Sequence, residues 1–159
     1  MATAQRAEEP LPVGRLAVRH HRAIHRHLFQ DVYRWAGRFQ TVRIAKGDSM
    51  FCYPEYISEQ MNTLFAELKA KGLLREFAPN AIAVAAARFL GTLNAIHPFR
   101  DGNGRAQLVF LALLADRAGH PLNLERLDPD SFLAAMIGSF NGNDRILSRC
   151  ISELIRKAH

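Results

Sequence analysis

Apolar positions recur along this chain mostly at helical spacing. Between Pro54 and Lys71, the residues Ile57, Met61, Leu64, Phe65 and Leu68 fall on one face of a helix, and Lys71-Gly72 supplies its stop. From Gly14 to Trp35, Ile24, Leu28, Val32 and Trp35 keep the same one-faced rhythm, which predicts one helix, continuous or broken, that Gly37 can end. Residues 79–96 are apolar nearly all round, with Ile82, Val84, Phe89, Leu90 and Leu93, and predict a central, buried helix whose first turn suits Pro79. After a short loop, residues 104–118 predict a second buried helix closed by Gly119. Asp128-Pro129 caps a helix reaching Phe140, and Asn143 caps a last one running toward Lys157. The helical rhythm breaks between Phe39 and Tyr53. There Val42 and Ile44 alternate with polar neighbours and Lys46-Gly47-Asp48 offers turn chemistry, so a small hairpin is predicted.

The expected fold is therefore all-α: one helical domain, residues 14–159, carrying a two-stranded appendage and preceded by a loose segment, residues 1–13. A chain of 159 residues can bury a core without disulfides or structural metal. Cys52 and Cys150 stand far apart in no metal-ligand spacing, which predicts reduced thiols and a cytoplasmic setting. No apolar run is long enough to cross a bilayer, and residues 1–15 lack the layout of a secretory signal, so no membrane partner is expected. The net charge of +6 favours anionic partners without choosing among them.

Chemistry concentrates in His97-Pro98-Phe99-Arg100-Asp101-Gly102-Asn103-Gly104-Arg105, between the two most apolar helices. Pro98 pushes His97 out of helical geometry and holds its imidazole at the lip of the core. Gly102 and Gly104 permit positive φ, and successive amides in such a turn form an anion-binding nest that the positive end of the next helix reinforces. Arg105 adds a planar fork suited to phosphate oxygens. Asp101 would repel a phosphate unless a cation such as Mg2+ lay between them. Phe99 reads as an anchor that packs the loop into the core. A glycine-rich turn with capping polar groups is the structural alternative, but a histidine, an acid, an asparagine and an arginine at set positions around the glycines outweigh it.

These residues resemble the signature of the Fic (filamentation induced by cAMP) family, H-x-F-x-[D/E]-G-N-[G/K]-R-x-x-R. The likeness extends to residues 28–37 (LFQDVYRWAG), to Ile44-Ala45-Lys46-Gly47 and to Asn94-Ala95-Ile96, and so covers nearly the whole chain. It implies a Fic-fold helical bundle and a protein adenylyltransferase that uses ATP and Mg2+. On that reading His97 takes the proton of a target Ser, Thr or Tyr hydroxyl, which attacks the α-phosphorus and expels pyrophosphate. Gly102, Asn103, Gly104, Arg105 and Lys46 would then hold the nucleotide and Asp101 the metal. The family's hairpin, its flap, lies over the site and pairs with an extended target; residues 41–53 match it here. Lys46 reads equally as an exposed turn lysine.

The last signature arginine falls at position 108, where this chain has Leu108. Residues 105 and 108 share a helix face, so one phosphate donor is missing. Three readings follow: retained but slowed adenylyl transfer, a different phosphate-containing donor, or a nucleotide-binding relative that has lost catalysis. Relatives are often silenced by a helix bearing [S/T]-x-x-x-E-[G/N]. The nearest match, Thr63 to Glu67 followed by Leu68, reads as ordinary helix surface, so the chain resembles toxins restrained by a separate small antitoxin protein. Residues 19–27 carry His20, His21, His25 and His27 among arginines, which predicts a solvated basic face or a partner-docking one. His21 and His25 have zinc-compatible spacing but no third ligand. That face and the net charge raise nucleic-acid binding as a rival class, against which stand the missing recognition motif and the unexplained His97 loop.

Overall fold

The computed structural model describes residues 6, 8–42, 45, 46, 49, 50, 52–140 and 142–156. Six helices dominate them: α1 Val18–Phe29, α2 Pro54–Ala70, α3 Pro79–Ile96, α4 Asn103–Arg117, α5 Pro129–Phe140 and α6 Arg145–Arg156. Two short strands, β1 Ala45–Lys46 and β2 Ser49–Met50, lie between α1 and α2 and pair antiparallel, Ala45 opposite Met50 and Lys46 opposite Ser49. Ile44, Gly47, Asp48 and Phe51 of the predicted hairpin lie outside the described residues.

Helix α3 is central and packs against α2, α4, α5 and α6. Its alanines Ala83, Ala86 and Ala87 are buried and let neighbouring helices approach closely, while Phe89, Leu90, Leu93 and Ile96 fill the interior. The prediction of burial all round fails at Val84, which is 53% exposed. It lines an open cleft of about 450 Å³ with Arg88 and Arg145, a strip that the four packed helices leave uncovered. Helix α2 buries the five predicted residues Ile57, Met61, Leu64, Phe65 and Leu68. Thr63 and Glu67 sit exposed on its other side.

Helix α1 ends sooner than its periodicity predicts. It stops at Phe29, and Val32 is exposed. The rings of Tyr33 and Trp35 stack 4.2 Å apart at 11°, a contact that residues two apart cannot make within a helix. The chain instead turns through Val32 N–H and Tyr33 N–H to the Phe29 carbonyl and through Arg38 N–H to the Trp35 carbonyl.

Three imidazoles of α1 turn inward from the predicted basic face, while its Arg19, Arg22 and Arg26 are exposed. His20, His21 and His25 are buried, at 3%, 0% and 0% exposure. His20 bridges the segment before the helix: its Nδ1 accepts the Leu16 N–H at 3.0 Å, and its Nε2 donates to the Pro12 carbonyl at 2.9 Å. His21 packs among Phe65, Phe99 and Phe110, and neither ring nitrogen finds a hydrogen bond among the described residues. Burial pushes its pKa down to about 3, so it is neutral in the fold. The segment before α1 is also tied down at Arg6, whose guanidinium bonds Asp31 at 2.7 and 3.0 Å and whose carbonyl accepts from His27.

Candidate functional site

The loop joining α3 to α4 is built from its buried side outward. His97 caps α3 in the left-handed conformation (φ 52°, ψ 62°), its N–H still bonded to the Leu93 carbonyl at 3.0 Å. A histidine there is strained relative to glycine, and the following Pro98, which disfavours helical geometry in the residue before it, enforces the departure. Phe99 is wholly buried, worth about 1.5–3 kcal/mol for a side chain of its class. It stacks on the His25 ring at 3.8 Å and 19°. Asn103 is 3% exposed and closes the loop on itself. Its Oδ1 accepts the Phe99 N–H at 3.0 Å and its Nδ2 donates to the Phe99 carbonyl at 2.7 Å.

Two further residues, absent from the sequence-based set, brace this inner side. His25 accepts the Gly37 N–H on Nδ1 at 2.9 Å, which fixes the proton on Nε2, and Nε2–H donates to the Asp101 carbonyl at 2.8 Å. Desolvation lowers the His25 pKa, with the bond to Asp101 opposing it, so the neutral tautomer persists. Gln40 donates Nε2–H to the His97 carbonyl at 2.7 Å and its main-chain N–H to the Pro98 carbonyl at 2.8 Å. Both partners are far away in sequence, so no local pattern could have found them.

The outer side presents the charged groups. Asp101 is exposed; Tyr33 Oη–H donates to its Oδ2 at 2.8 Å and the Gly102 N–H to its Oδ1 at 2.8 Å. Tyr33 is correspondingly harder to ionise, chiefly because its hydroxyl serves that carboxylate. Gly102 is the N-cap of α4 at φ 80°, and a Cβ there would stand 2.5 Å from the Phe29 ring, so both conformation and contact require glycine. The first α4 bond runs from the Ala106 N–H to the Gly102 carbonyl at 3.2 Å, which leaves the N–H groups of residues 103–105 without helical acceptors. No acidic residue occupies that first turn. Among the described residues, a Cβ on Gly104 would meet nothing within 4 Å.

Several sequence-based expectations are thereby adjusted. Gly104 lies inside α4 and does not share the positive φ of Gly102, because the nest merges directly into the helix. The Asn103 side chain is committed to Phe99, leaving its main-chain N–H for any ligand. His97 is deeper than the lip of the core: it is 4% exposed and both ring nitrogens are beneath the surface. Arg105 is exposed on α4 and Leu108 is half-buried one turn on. Lys46 falls on β1, but its side chain, and with it the expected nucleotide or target contact, lies outside the described residues. The hairpin stretch is anchored at both ends beside the loop, by Gln40 at its start and by the Cys52 N–H bonded to the Ala95 carbonyl at 3.3 Å at its end.

Residues 15–115 match the Fic/DOC family. Across 94% of the chain and 79% of its counterpart, 52% of residues are identical to the protein named Probable protein adenylyltransferase y4lH of Sinorhizobium fredii. Identity to Protein adenylyltransferase VbhT of Bartonella schoenbuchensis is 35% over 87% of this chain and 29% of that longer one. Among solved structures, the N-terminal Fic domain of a VirB-translocated Bep effector protein with bound ADP from Bartonella quintana superposes with a TM-score of 0.85. That alignment is 25% identical and covers 96% of this chain and 80% of the other. The fold, the loop and these likenesses agree, and the chain belongs to the Fic/DOC family.

Proposed function

We propose that this protein is an adenylyltransferase that moves AMP from ATP to a Ser, Thr or Tyr hydroxyl of a target protein, with residues 14–159 as the working Fic domain. The observation that carries the reading is the acid-free start of α4, uncovered at Gly104 among the described residues, with Asp101 exposed on one side and His97 at the other end of the same short loop. Nearby, the relatives carry adenylyltransferase names and a structural neighbour holds ADP.

In this scheme the main-chain N–H groups of Asn103, Gly104 and Arg105 face the phosphates, Gly102 shapes the turn while its own N–H holds Asp101, and the Arg105 guanidinium adds charge-assisted bonds. Asp101 suits Mg2+: it is an exposed carboxylate oriented by Tyr33 and Gly102, and Mg2+ is usually held by one or two carboxylates together with substrate phosphates. The ion, when bound, neutralises phosphate charge. His97 accepts the target hydroxyl's proton on a ring nitrogen as the hydroxyl oxygen bonds to the α-phosphorus. The bond from that phosphorus to the bridging oxygen breaks, and pyrophosphate leaves with its electrons. Because both ring nitrogens are beneath the surface, the target must displace what covers them. Residues 41–53, pinned at Gln40 and Cys52, serve as the flap along which an extended target segment adds as a strand, with Lys46 beside target or nucleotide.

Leu108 removes one phosphate donor. Transition-state arginines in phosphoryl transfer have been worth roughly 10³- to 10⁵-fold, so the enzyme is slow, and Leu108→Arg raises its rate. With Thr63 and Glu67 on an ordinary helix surface, restraint falls to a separate small antitoxin protein. ATP use and two cysteines outside any disulfide suit a cytoplasmic setting, and among the described residues no helix could cross a membrane.

The test is incubation with Mg2+, lysate and ATP labelled at its α-phosphorus. Protein-bound label that disappears with His97→Ala is the expected result. Label arriving only from the γ-phosphorus would mean kinase chemistry, and nucleotide binding without any transfer would leave a binding protein.

A further inference from the structure

Beside the loop from His97 to Arg105, α1 and residues 36–38 enclose an open groove of about 540 Å³. Arg19, Arg22, Arg26 and Arg38 line it together with Val18 and Ala36, and none of its described lining residues is acidic. Arg19, Arg22 and Arg26 lie on one helix face, spanning about 10 Å along the axis at 1.5 Å per residue. All four arginines are exposed, and none forms an ion pair among the described residues. Arg22 is held in place, its Nε–H donating to the Gly37 carbonyl at 2.9 Å and its guanidinium lying 4.8 Å over the Phe39 ring.

Four like charges around one concavity repel one another, and that arrangement is relieved by an anionic occupant. We infer that this groove docks an acidic segment of a protein partner. Carboxylates three or four residues apart on a helix, or two apart on an extended strand, recur at about 5–7 Å, which matches the arginine spacing and permits bidentate pairs. Nucleic acid fits less well. Single strands need exposed aromatic faces for base stacking, but none of the described lining residues is aromatic, and Phe39 beside them is covered by Arg22. Duplex recognition inserts a protruding helix or ribbon into a DNA groove, whereas this surface is concave.

The groove is separate from the loop yet next to it. Gly37, whose carbonyl holds Arg22, donates its N–H to His25, which in turn holds Asp101. A docked segment therefore lies behind the loop and leaves the phosphate side open. This inference does not depend on the reaction proposed above.

Binding of a fluorescent oligoglutamate peptide to the whole protein, at low and at physiological ionic strength, tests it. The double variant Arg19→Glu, Arg26→Glu is compared with Arg75→Glu, Arg126→Glu, which makes the same charge change elsewhere, after both are shown to melt like the parent. The groove variant is expected to bind about tenfold or more weakly, with the distant variant little changed. Equal weakening by both variants would reduce the effect to net charge and overturn the groove. A thymidine oligonucleotide of matched charge that binds more tightly than the peptide, and loses that affinity in the groove variant, would overturn the choice of a protein partner.

Discussion

The two sides of the loop from His97 to Arg105 obey different rules. On the inner side Phe99, Asn103, His25 and Gln40 are buried and joined by short hydrogen bonds to named main-chain atoms. On the outer side Asp101, Gly104 and Arg105 are exposed, and the amides at the start of α4 have no helical acceptor. The inner side sets the shape before any ligand arrives, so binding need not order the loop, and preorganised donors are the ones that stabilise developing charge. Outer substitutions should therefore alter chemistry at constant stability, while inner ones should alter both.

The largest expected effect sharpens that contrast at its hinge. His97→Ala should lower transfer by about 10²- to 10⁴-fold, the usual worth of a positioned base; melting that changes little would separate the effect from folding. Asp101→Asn should next raise the Mg2+ concentration needed for half-maximal transfer several-fold with the melting curve unmoved. A fall in stability equal to that of an inner variant would erase the distinction. Asn103→Ala strands the Phe99 N–H and carbonyl, each costing about 1–3 kcal/mol when buried without a partner. Denaturant titration should show that loss together with weaker nucleotide binding.

The smallest effect is a pH dependence. The folded pKa of His21 is depressed to about 3 and those of His20 and His25 are also lowered, so between pH 6.5 and pH 3 the unfolded chain binds more protons than the folded one. Stability should be full above pH 6.5 and decline as pH falls through that window, by up to about 1.4 kcal/mol per pH unit for His21. His21→Phe should flatten the decline in thermal melts between neutral pH and pH 5; an unchanged slope would place the acid sensitivity elsewhere.

Much of this could be read from the chain because the forces responsible are local. Periodicity alone placed all five core residues of α2, and Pro98 with Gly102 marked the loop because backbone sterics act on immediate neighbours. Distant partners were not legible. The imidazoles of α1 look solvated by composition, yet His20 and His25 are held inside by bonds to Pro12, Gly37 and Asp101, and His21 by the rings of Phe65, Phe99 and Phe110, none of which shares a helical turn with them. Asn103 looked like a ligand group for the same reason: its match to the family signature was visible, but its two bonds to Phe99 were not. Val84 read as core because an apolar side chain does not announce which strip its neighbours leave open.

Whether the loop holds its shape before nucleotide arrives can be observed directly by titrating the isotope-labelled protein with ADP and Mg2+ while following its amide resonances. The N–H signals of Gly102, Gly104 and Arg105 should move, with those of Phe99 and Gly37 nearly still. Shifts concentrated at Phe99, Gly37 and Gln40, or at the arginine groove alone, would contradict a site assembled in advance around the start of α4.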